Sequence, residues 1–574
     1  MNNVNELYSL WLEKAKDIDE IYDELKAIQG KDDEILDRFY RNLEFGTGGL
    51  RGVIGAGTNR MNVFTVNQAT QGLADYLNEA FKNPSIAIAH DSRINSDVFA
   101  KSAAEVLAGN GIKVWFYPEL VPTPMLSFAV RRLKCSSGIV LTASHNPAQY
   151  NGYKCYDPLG YQMTDEGAAK TYEYMQKVDM FSGVKKLDFD KGIENGMIEY
   201  IGQDVYEDFY KAVLDECINP EVTENSDLKI IYAPLHGTGN KPVREVLKRM
   251  GLKDVNVVKS QELPDGNFPT CPYPNPEIRQ AFEEAIKMAN EIGGDLLLAT
   301  DPDCDRVGIA VNDGGEYKLM TGNEVGVLLA KYLLSCKKEQ GTLPENPAII
   351  KTIVTTNLIT AVAKEYNCQI YDLLTGFKYI GELVTELESK GEVDRYILGM
   401  EESYGYLTGI HARDKDGVNG ASLICEMAAY YKAKEGKNLY QVMQDIYDEH
   451  GMYMNTLLNF TFAGAEGMNT MKKIMSDLRE NPPAEIAGMK VEKVYDYLNS
   501  VAVNTADGSE EVLTLPKSNV LSYTLPDGNG AVIRPSGTEP KIKIYVTAVG
   551  KDRDESQAIT DKISAAMKGF VGVE

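Results

Sequence analysis

The sequence lacks any long apolar run. Nowhere in its 574 residues do the roughly 18–20 consecutive apolar side chains needed to cross a bilayer occur. Its opening, MNNVNELYSLWLEKAKD, is polar and mixed in charge, without the apolar stretch of a secretory signal. A cysteine framework is missing too: eight cysteines are scattered with no C-x-x-C pair, so reduced thiols and a cytoplasmic protein are expected. Basic residues are outnumbered, 59 Lys and Arg against 84 Asp and Glu, for a net charge of −25. Nucleic acid and anionic membrane both want a basic face, so neither is an expected partner. A small anionic ligand stays compatible, provided local Arg and Lys clusters overcome the general field. Two catalytic signatures are also absent. Without G-x-x-x-x-G-K-[ST] there is no P-loop, and without G-x-S-x-G the α/β-hydrolase nucleophile is disfavoured.

What is present is ordinary in bulk, 43% hydrophobic and 25% charged, and long enough for three to five domains. The first forty residues read as amphipathic helix. A glycine-rich stretch, EFGTGGLRGVIGAGTNR, follows from Glu44 to Arg60, and then a helical pattern near Val66–Phe81. From there strands and helices alternate: SIAIAH, VFAKSAAEVLAGNG, IKVWFY, TPMLSFAVRRL with Pro124 in its first turn, and SSGIVLTA. The rhythm restarts at LKIIYAPL (Leu228), with a helix near Asn240–Gly251, DVNVV, a long helix Glu277–Ile292 and DLLLAT. A third round runs from a helix near Asn323–Gln340 through AIIKTIV to RYILGMEES at Arg395. From about Gly451 the pattern turns to short strands and a closing helix. The expected architecture is therefore three α/β domains, residues 1–208, 209–317 and 318–447, and a smaller α+β domain over 448–574.

In each α/β segment an apolar strand opens into a polar loop: TASHNP, TDPDCDR and EESYGY. Ligands of open α/β sheets bind beyond the carboxyl ends of strands, so one cleft assembled from these loops is expected. In the second loop Asp301, Asp303 and Asp305 alternate, and carboxylates at that spacing can converge on a hard cation, Mg²⁺ or Ca²⁺. An EF-hand fails, because its sixth and twelfth positions are Arg306 and Asn312 rather than Gly and Glu. Arg306 adds a guanidinium that can offset the charge of a phosphoryl group. In the first loop Ser144 could cap a helix or carry a phosphoryl group beside the cation, with His145 able to move a proton.

Read together, the loops closely resemble the α-D-phosphohexomutase superfamily, of the phosphoglucomutase and phosphomannomutase type, nearest its bacterial α-phosphoglucomutase branch. TASHNP looks like the family's phosphoserine loop, DPDCDR its Mg²⁺ loop, EESYG (Glu401–Gly405) its sugar loop, and RPSGTEPKIKIY (Arg534–Tyr545) its phosphate loop. FGTGGLRG resembles its entry motif, which makes Arg51 a residue facing the active site. TGFKYI and RDKDG extend the match and make Thr375 and Lys415 substrate contacts. Lys154, in NGYK, is a further catalytic candidate.

The resemblance implies a mixed-sheet fold of three related α/β domains and a smaller α+β domain around a central active-site cleft. It implies a phosphosugar mutase acting on small-molecule sugar phosphates, as monomer or homodimer. Phosphorylated Ser144 would convert glucose 1-phosphate to glucose 6-phosphate through glucose 1,6-bisphosphate, with mannose and pentose phosphates as open alternatives. Mg²⁺ would be held by Asp301, Asp303, Asp305 and Ser144. Glu401 and Ser403 would meet sugar hydroxyls. Arg306, Arg534, Ser536, Gly537, Thr538 and Lys543 would bind substrate phosphate. His145, Lys154 and Lys415 are the candidates for general acid and base. Two departures stand out: Cys304 sits among the aspartates, where a spacer pointing away from the metal is expected, and Glu539 follows Thr538, with Lys541 and Lys543 to compensate.

Overall fold

The computed structural model describes residues 2–572 apart from 47, 463 and 537–540. The chain forms two compact units. The first comprises Met1–Met320, Ile380–Val393 and Tyr404–Gly436, and the second Thr321–Tyr379, Asp394–Ser403 and Lys437–Glu574. No helix among the described residues is long and apolar enough to cross a membrane.

The first unit opens with three helices, Asn2–Lys14, Asp19–Ala27 and Asp32–Phe39. Their apolar faces bury Trp11, Leu25, Ile35 and Phe39 together. From this bundle Glu24 and Arg38 reach the glycine-rich stretch: Glu24 Oε2 accepts from Ala56 N at 2.7 Å, and Arg38 Nη1 donates to Ala56 O at 3.1 Å. Gly57 beside it has φ +129°, and a Cβ there would lie 2.7 Å from Arg38 O.

Two mixed sheets follow. In the first the spatial order is Gly49–Val53, Tyr150–Tyr156, Ser137–Leu141, Ser85–His90, Lys113–Phe116 and Ile198–Tyr200. Its centre is parallel, and Tyr150–Tyr156 returns antiparallel beside Ser137–Leu141. The second sheet has the order Glu316–Met320, Val307–Asp313, Leu296–Thr300, Lys229–Ala233 and Asp254–Val257. Here Val307–Asp313 returns antiparallel beside Leu296–Thr300. The strands Ser137–Leu141 and Leu296–Thr300 are buried along their whole length, which explains why they read as unbroken apolar runs. Each hands over to its antiparallel neighbour through a short polar loop, 142–149 in one case and 301–306 in the other.

The expected long helix over Glu277–Ile292 is shorter in the structure. Asn275 Oδ1 accepts from Glu277 N at 3.1 Å, a side-chain turn that competes with helix. A 3-10 turn, Arg279–Phe282, follows before the α-helix Glu283–Ile292.

The second unit holds three parallel strands, ordered Gln369–Leu373, Ala348–Thr352 and Tyr396–Glu401. It also holds a seven-stranded sheet that runs from Met452–Thr461 through Lys541–Gly550 and Gly530–Pro535 to Glu510–Val512. The helices Gly464–Glu480 and Arg553–Val571 cover it, with Met471, Met475, Ile533, Ile544, Ile563 and Met567 in the core. The three ligand-loop candidates share one backbone feature. Each carries a non-glycine residue in the left-handed region: Ser144 (φ +52°), Cys304 (φ +49°) and Tyr404 (φ +66°). Such backbone is costly and gathers at functional sites.

Candidate functional site

In the first unit the serine loop turns back at the end of Ser137–Leu141. Thr142 N donates to Gly152 O, and a Cβ on Gly152 would lie 2.4 Å from Thr142 O, so only glycine lets the two segments approach. Thr142 Oγ1 accepts from Ser144 N at 2.8 Å. The Ser144 hydroxyl is thereby directed at Asp301, and its Oγ donates to Asp301 Oδ2 at 2.8 Å. His145 Nδ1 lies 3.3 Å from the same Oγ. Burial, and then the nearby charges of Arg306 and Arg51, hold His145 well below the ordinary imidazole range, so its ring is neutral at pH 7.

Asp301, Asp303 and Asp305 each offer an oxygen within 4.8 Å of the others, and all three are buried. Burial, followed by repulsion from Asp303 and Asp305, pushes the Asp301 carboxyl well above its usual range. Burial works the same way on Asp303, but the opposing Lys154 charge and hydrogen bond, with help from Asp301 and Lys415, hold it low. Arg306 N donates to Asp301 Oδ1 at 3.0 Å. Asp303 Oδ1 and Asp305 Oδ1 are buried and accept no hydrogen bond among the described residues. Buried carboxylate oxygens are seldom left so. An all-oxygen trio with two unsatisfied atoms fits a hard divalent cation. The second carboxylate group, Glu365 and Glu449 with His450, is open to solvent, and Lys331 Nζ already lies 2.8 Å from Glu365.

Two ammonium groups face the trio. Lys154 Nζ donates to Asp303 Oδ2 at 2.9 Å and stands 3.6 Å from Asp305 Oδ2. Lys415 Nζ stands 3.0 Å from Asp305 Oδ2. Burial disfavours the charge on Lys154, but Asp303 and Asp305 outweigh it and raise its pKa. Arg51 lies on the strand Gly49–Val53, opposite Gly152 in register, near enough for its charge to act on His145. Cys304 is buried and its thiol is pushed far up, first by burial. Its Sγ lies against the position a Cβ on Gly239 would take, at 2.8 Å.

The second unit carries the remaining candidates. Arg534 Nη1 donates to Thr375 Oγ1, and the Arg534 guanidinium lies 5.9 Å from the centre of the Tyr545 ring. Lys543 pairs with Arg534 across the antiparallel strands, and Ser536 N donates to Lys541 O at 2.7 Å. Glu401 is buried and its Oε1 accepts from Gly376 N at 3.0 Å. Ser403 is partly exposed. Gly537 and Thr538 lie outside the described residues.

Sequence reasoning missed several groups. Asp414 Oδ2 accepts from Tyr156 OH at 2.6 Å, and its backbone neighbour is Lys415. Thr123 binds Asp303 twice, N to O at 2.9 Å and Oγ1 to Oδ2 at 3.1 Å. Glu402 accepts from Thr352 Oγ1 at 3.2 Å. Arg93, in HDSR at the end of the strand Ser85–His90, donates to the serine loop at Ser144 O and to Tyr150 O just after it. The signal for Arg93 was the same strand-end rule that found Ser144.

Three models of phosphoglucomutase/phosphomannomutase domains match the chain in order: α/β/α domain I over 42–181, domain II over 207–315 and domain III over 321–450. A phosphoglucomutase from Staphylococcus aureus (strain MRSA252) is 36% identical over 564 residues, covering 97% of each chain. The solved open form of the Paramecium phosphoglucomutase pp63/parafusin has a TM-score of 0.68 at 17% identity, covering 93% of this chain and 96% of that one. An Aspergillus fumigatus N-acetylphosphoglucosamine mutase, solved with GlcNAc-6P and magnesium, has a TM-score of 0.51 at 13% identity, with 99% of both chains covered. Matched in order by all three domain models and along 97% of its length by one relative, the chain belongs to the phosphoglucomutase/phosphomannomutase family.

Proposed function

We propose that the chain is a phosphoglucomutase, interconverting α-D-glucose 1-phosphate and glucose 6-phosphate through phosphorylated Ser144 and bound glucose 1,6-bisphosphate. One observation carries the reading: the Ser144 hydroxyl is aimed at Asp301, inside a carboxylate trio with two unsatisfied oxygens. A hydroxyl set against a cation seat is arranged to carry a phosphoryl group. The S. aureus relative bears the same activity in its name.

In the resting enzyme Ser144 carries the phosphoryl group. A sugar hydroxyl attacks phosphorus, its O–P bond forms as the Oγ–P bond breaks, and the hydroxyl proton is taken up as Oγ gains one. The bisphosphate then presents its other phosphate. Ser144 Oγ attacks it, gives up its proton, and the sugar oxygen left behind is protonated. Mg²⁺, held by Asp301, Asp303, Asp305 and an oxygen on Ser144, would spread the charge of the transferring group. The A. fumigatus relative holds magnesium with a sugar phosphate.

Of the three acid–base candidates, His145 is the neutral one and stands beside Oγ. It is suited to exchange the serine proton, while Lys154 and Lys415 stay against the carboxylates and serve the phosphoryl charge. Arg534, Thr375, Ser536 and Lys543 suit the phosphate that is not being transferred, through guanidinium, hydroxyl and ammonium donors. Glu401 and Ser403 suit sugar hydroxyls. We take the protein to be cytoplasmic.

The test is kcat/KM for α-glucose 1-phosphate, mannose 1-phosphate and ribose 1-phosphate, with Mg²⁺ and a trace of glucose 1,6-bisphosphate. A lead for glucose 1-phosphate is expected. A lead for either other sugar moves the specificity but keeps the mechanism. Release of free phosphate without isomerisation overturns the mutase in favour of a metal-dependent phosphatase.

A further inference from the structure

We propose that Arg93 is the positioning residue of the phosphoserine loop, holding Ser144 in its left-handed conformation throughout the catalytic cycle. The proposal rests on the phosphoserine reading above. Arg93 is fully buried in its side chain. Its Nη1 donates to Pro147 O at 3.0 Å and Tyr150 O at 2.9 Å. Its Nη2 donates to Ser144 O at 2.5 Å and to Asn146 O. One guanidinium thus gathers four carbonyls of the loop, including that of the nucleophile itself.

Its own position is set from two sides. Asp91 Oδ2 lies 3.4 Å from Nε, and Asp91 Oδ1 accepts from Arg93 N at 2.9 Å and Ser96 Oγ at 2.8 Å. The buried Phe268 ring lies under the guanidinium, 5.0 Å from centre to centre. That ring belongs to the connection between the strand Asp254–Val257 and the turn Arg279–Phe282, in the same α/β segment as the strand that precedes Asp301. Gly266 nearby packs so tightly that a Cβ would lie 2.5 Å from Ile94 N. Arg93 therefore ties the serine loop to the Phe268 segment, and its four Nη hydrogen bonds all go to backbone carbonyls.

The chemistry needs such a device. Ser144 gains and loses about two negative charges in each turnover. Its backbone is in a conformation that non-glycine residues avoid. A loop free to relax would swing Oγ away from Asp301 in the dephosphorylated half of the cycle. Only a planar fork with five donors can hold four carbonyls at once, and lysine cannot replace it.

The experiment compares wild type, Arg93→Lys and Phe268→Leu. Arg93→Lys is expected to lose about 100-fold in kcat, the scale of a displacement near 1 Å, with KM for glucose 1-phosphate within about twofold. Backbone amide exchange over residues 144–150 is expected to speed up at least about tenfold, as local opening becomes easier. A folded Arg93→Lys that keeps kcat within about threefold, or whose KM rises as much as kcat falls, overturns the proposal. If Arg93→Lys does not fold, Phe268→Leu decides: a several-fold fall in kcat at constant KM supports the clamp, and unchanged kcat overturns it. If the wild type itself fails to isomerise sugar phosphates, the function proposed above falls. The exchange measurement still reads the clamp by itself, with unchanged exchange in Arg93→Lys counting against it.

Discussion

Ser144 and Asp301, 157 residues apart, are joined by a single hydrogen bond of 2.8 Å from Oγ to Oδ2. Ser144→Ala removes the hydroxyl proposed to carry the phosphoryl group. Turnover should fall at least about 10⁴-fold, the scale seen when a nucleophile is deleted. Intact-mass measurement after incubation with glucose 1,6-bisphosphate should show a phosphorylated wild type and an unmodified variant. A phosphorylated variant would place the acceptor elsewhere.

Burial, then repulsion from Asp303 and Asp305, pushes the Asp301 carboxyl well above its ordinary range, so in the metal-free trio it is the one that tends to hold a proton. Asp301→Asn therefore should leave the metal-free melting temperature unchanged or higher. Its affinity for Mg²⁺ should drop about 100-fold, and the stabilisation that saturating Mg²⁺ confers should shrink by about 2.7 kcal/mol. Calorimetric titration and melting curves with and without Mg²⁺ check both. A variant that gained as much stability from Mg²⁺ as wild type would place the cation away from this trio.

Glu402 offers a pH signature. Burial, then repulsion from Glu401, raises its carboxyl from an ordinary 4.5 to about 7. The folded state thus binds this proton more tightly than the unfolded chain. The stability it contributes is full below about pH 4.5 and lost as pH rises through about 7, a change of about 3 kcal/mol. Glu402→Gln keeps an acceptor for Thr352 and cannot ionise. The melting temperature of the variant relative to wild type should climb steadily from pH 5 to pH 8. A difference constant across that range would contradict the assignment.

Gly237 backs the carboxylate loop. A Cβ there would lie 2.6 Å from Pro302 Cα and 2.7 Å from Pro302 O, and Thr238 N donates to that same Pro302 O at 2.8 Å. Gly237→Ala should cost about 1–3 kcal/mol, the usual penalty for forcing a methyl into a filled site. It should also weaken Mg²⁺ binding, because the loop must move to make room. Denaturant unfolding and calorimetry read the two effects. A variant as stable as wild type would show that the contact relaxes without cost.

The ligand loops were legible because each follows an apolar strand with an abrupt run of polar residues. Three alternating aspartates after LLLAT have few other readings, and the structure brings their oxygens within 4.8 Å. What sequence could not show was which distant cation answers which carboxylate. Lys154 pairs with Asp303 across 149 positions and Lys415 with Asp305 across the fold, and nothing local in NGYK or RDKDG records either partner. Arg93 escaped for a different reason. HDSR also stands at a strand end, but the Arg93 donors are spent on backbone carbonyls, so no side-chain identity elsewhere in the sequence marks its partners. The helix expected from Glu277 shows the limit of periodicity: one Asn275 side chain redirects the backbone and delays the α-helix to Glu283.

The bond between Glu24 and Ala56 separates two notions of where this molecule begins. Likeness to the family's first domain starts at residue 42, yet the turn just after the strand bearing Arg51 is moored at Ala56 from upstream, by Glu24 and Arg38. Trimming the chain to the span of that domain match would leave Ala56 N without Glu24 and loosen the approach to Arg51. The helices before residue 42 thus fasten the turn by which the chain leaves the Arg51 strand, and a chain cut at the edge of that domain match would lose the fastening.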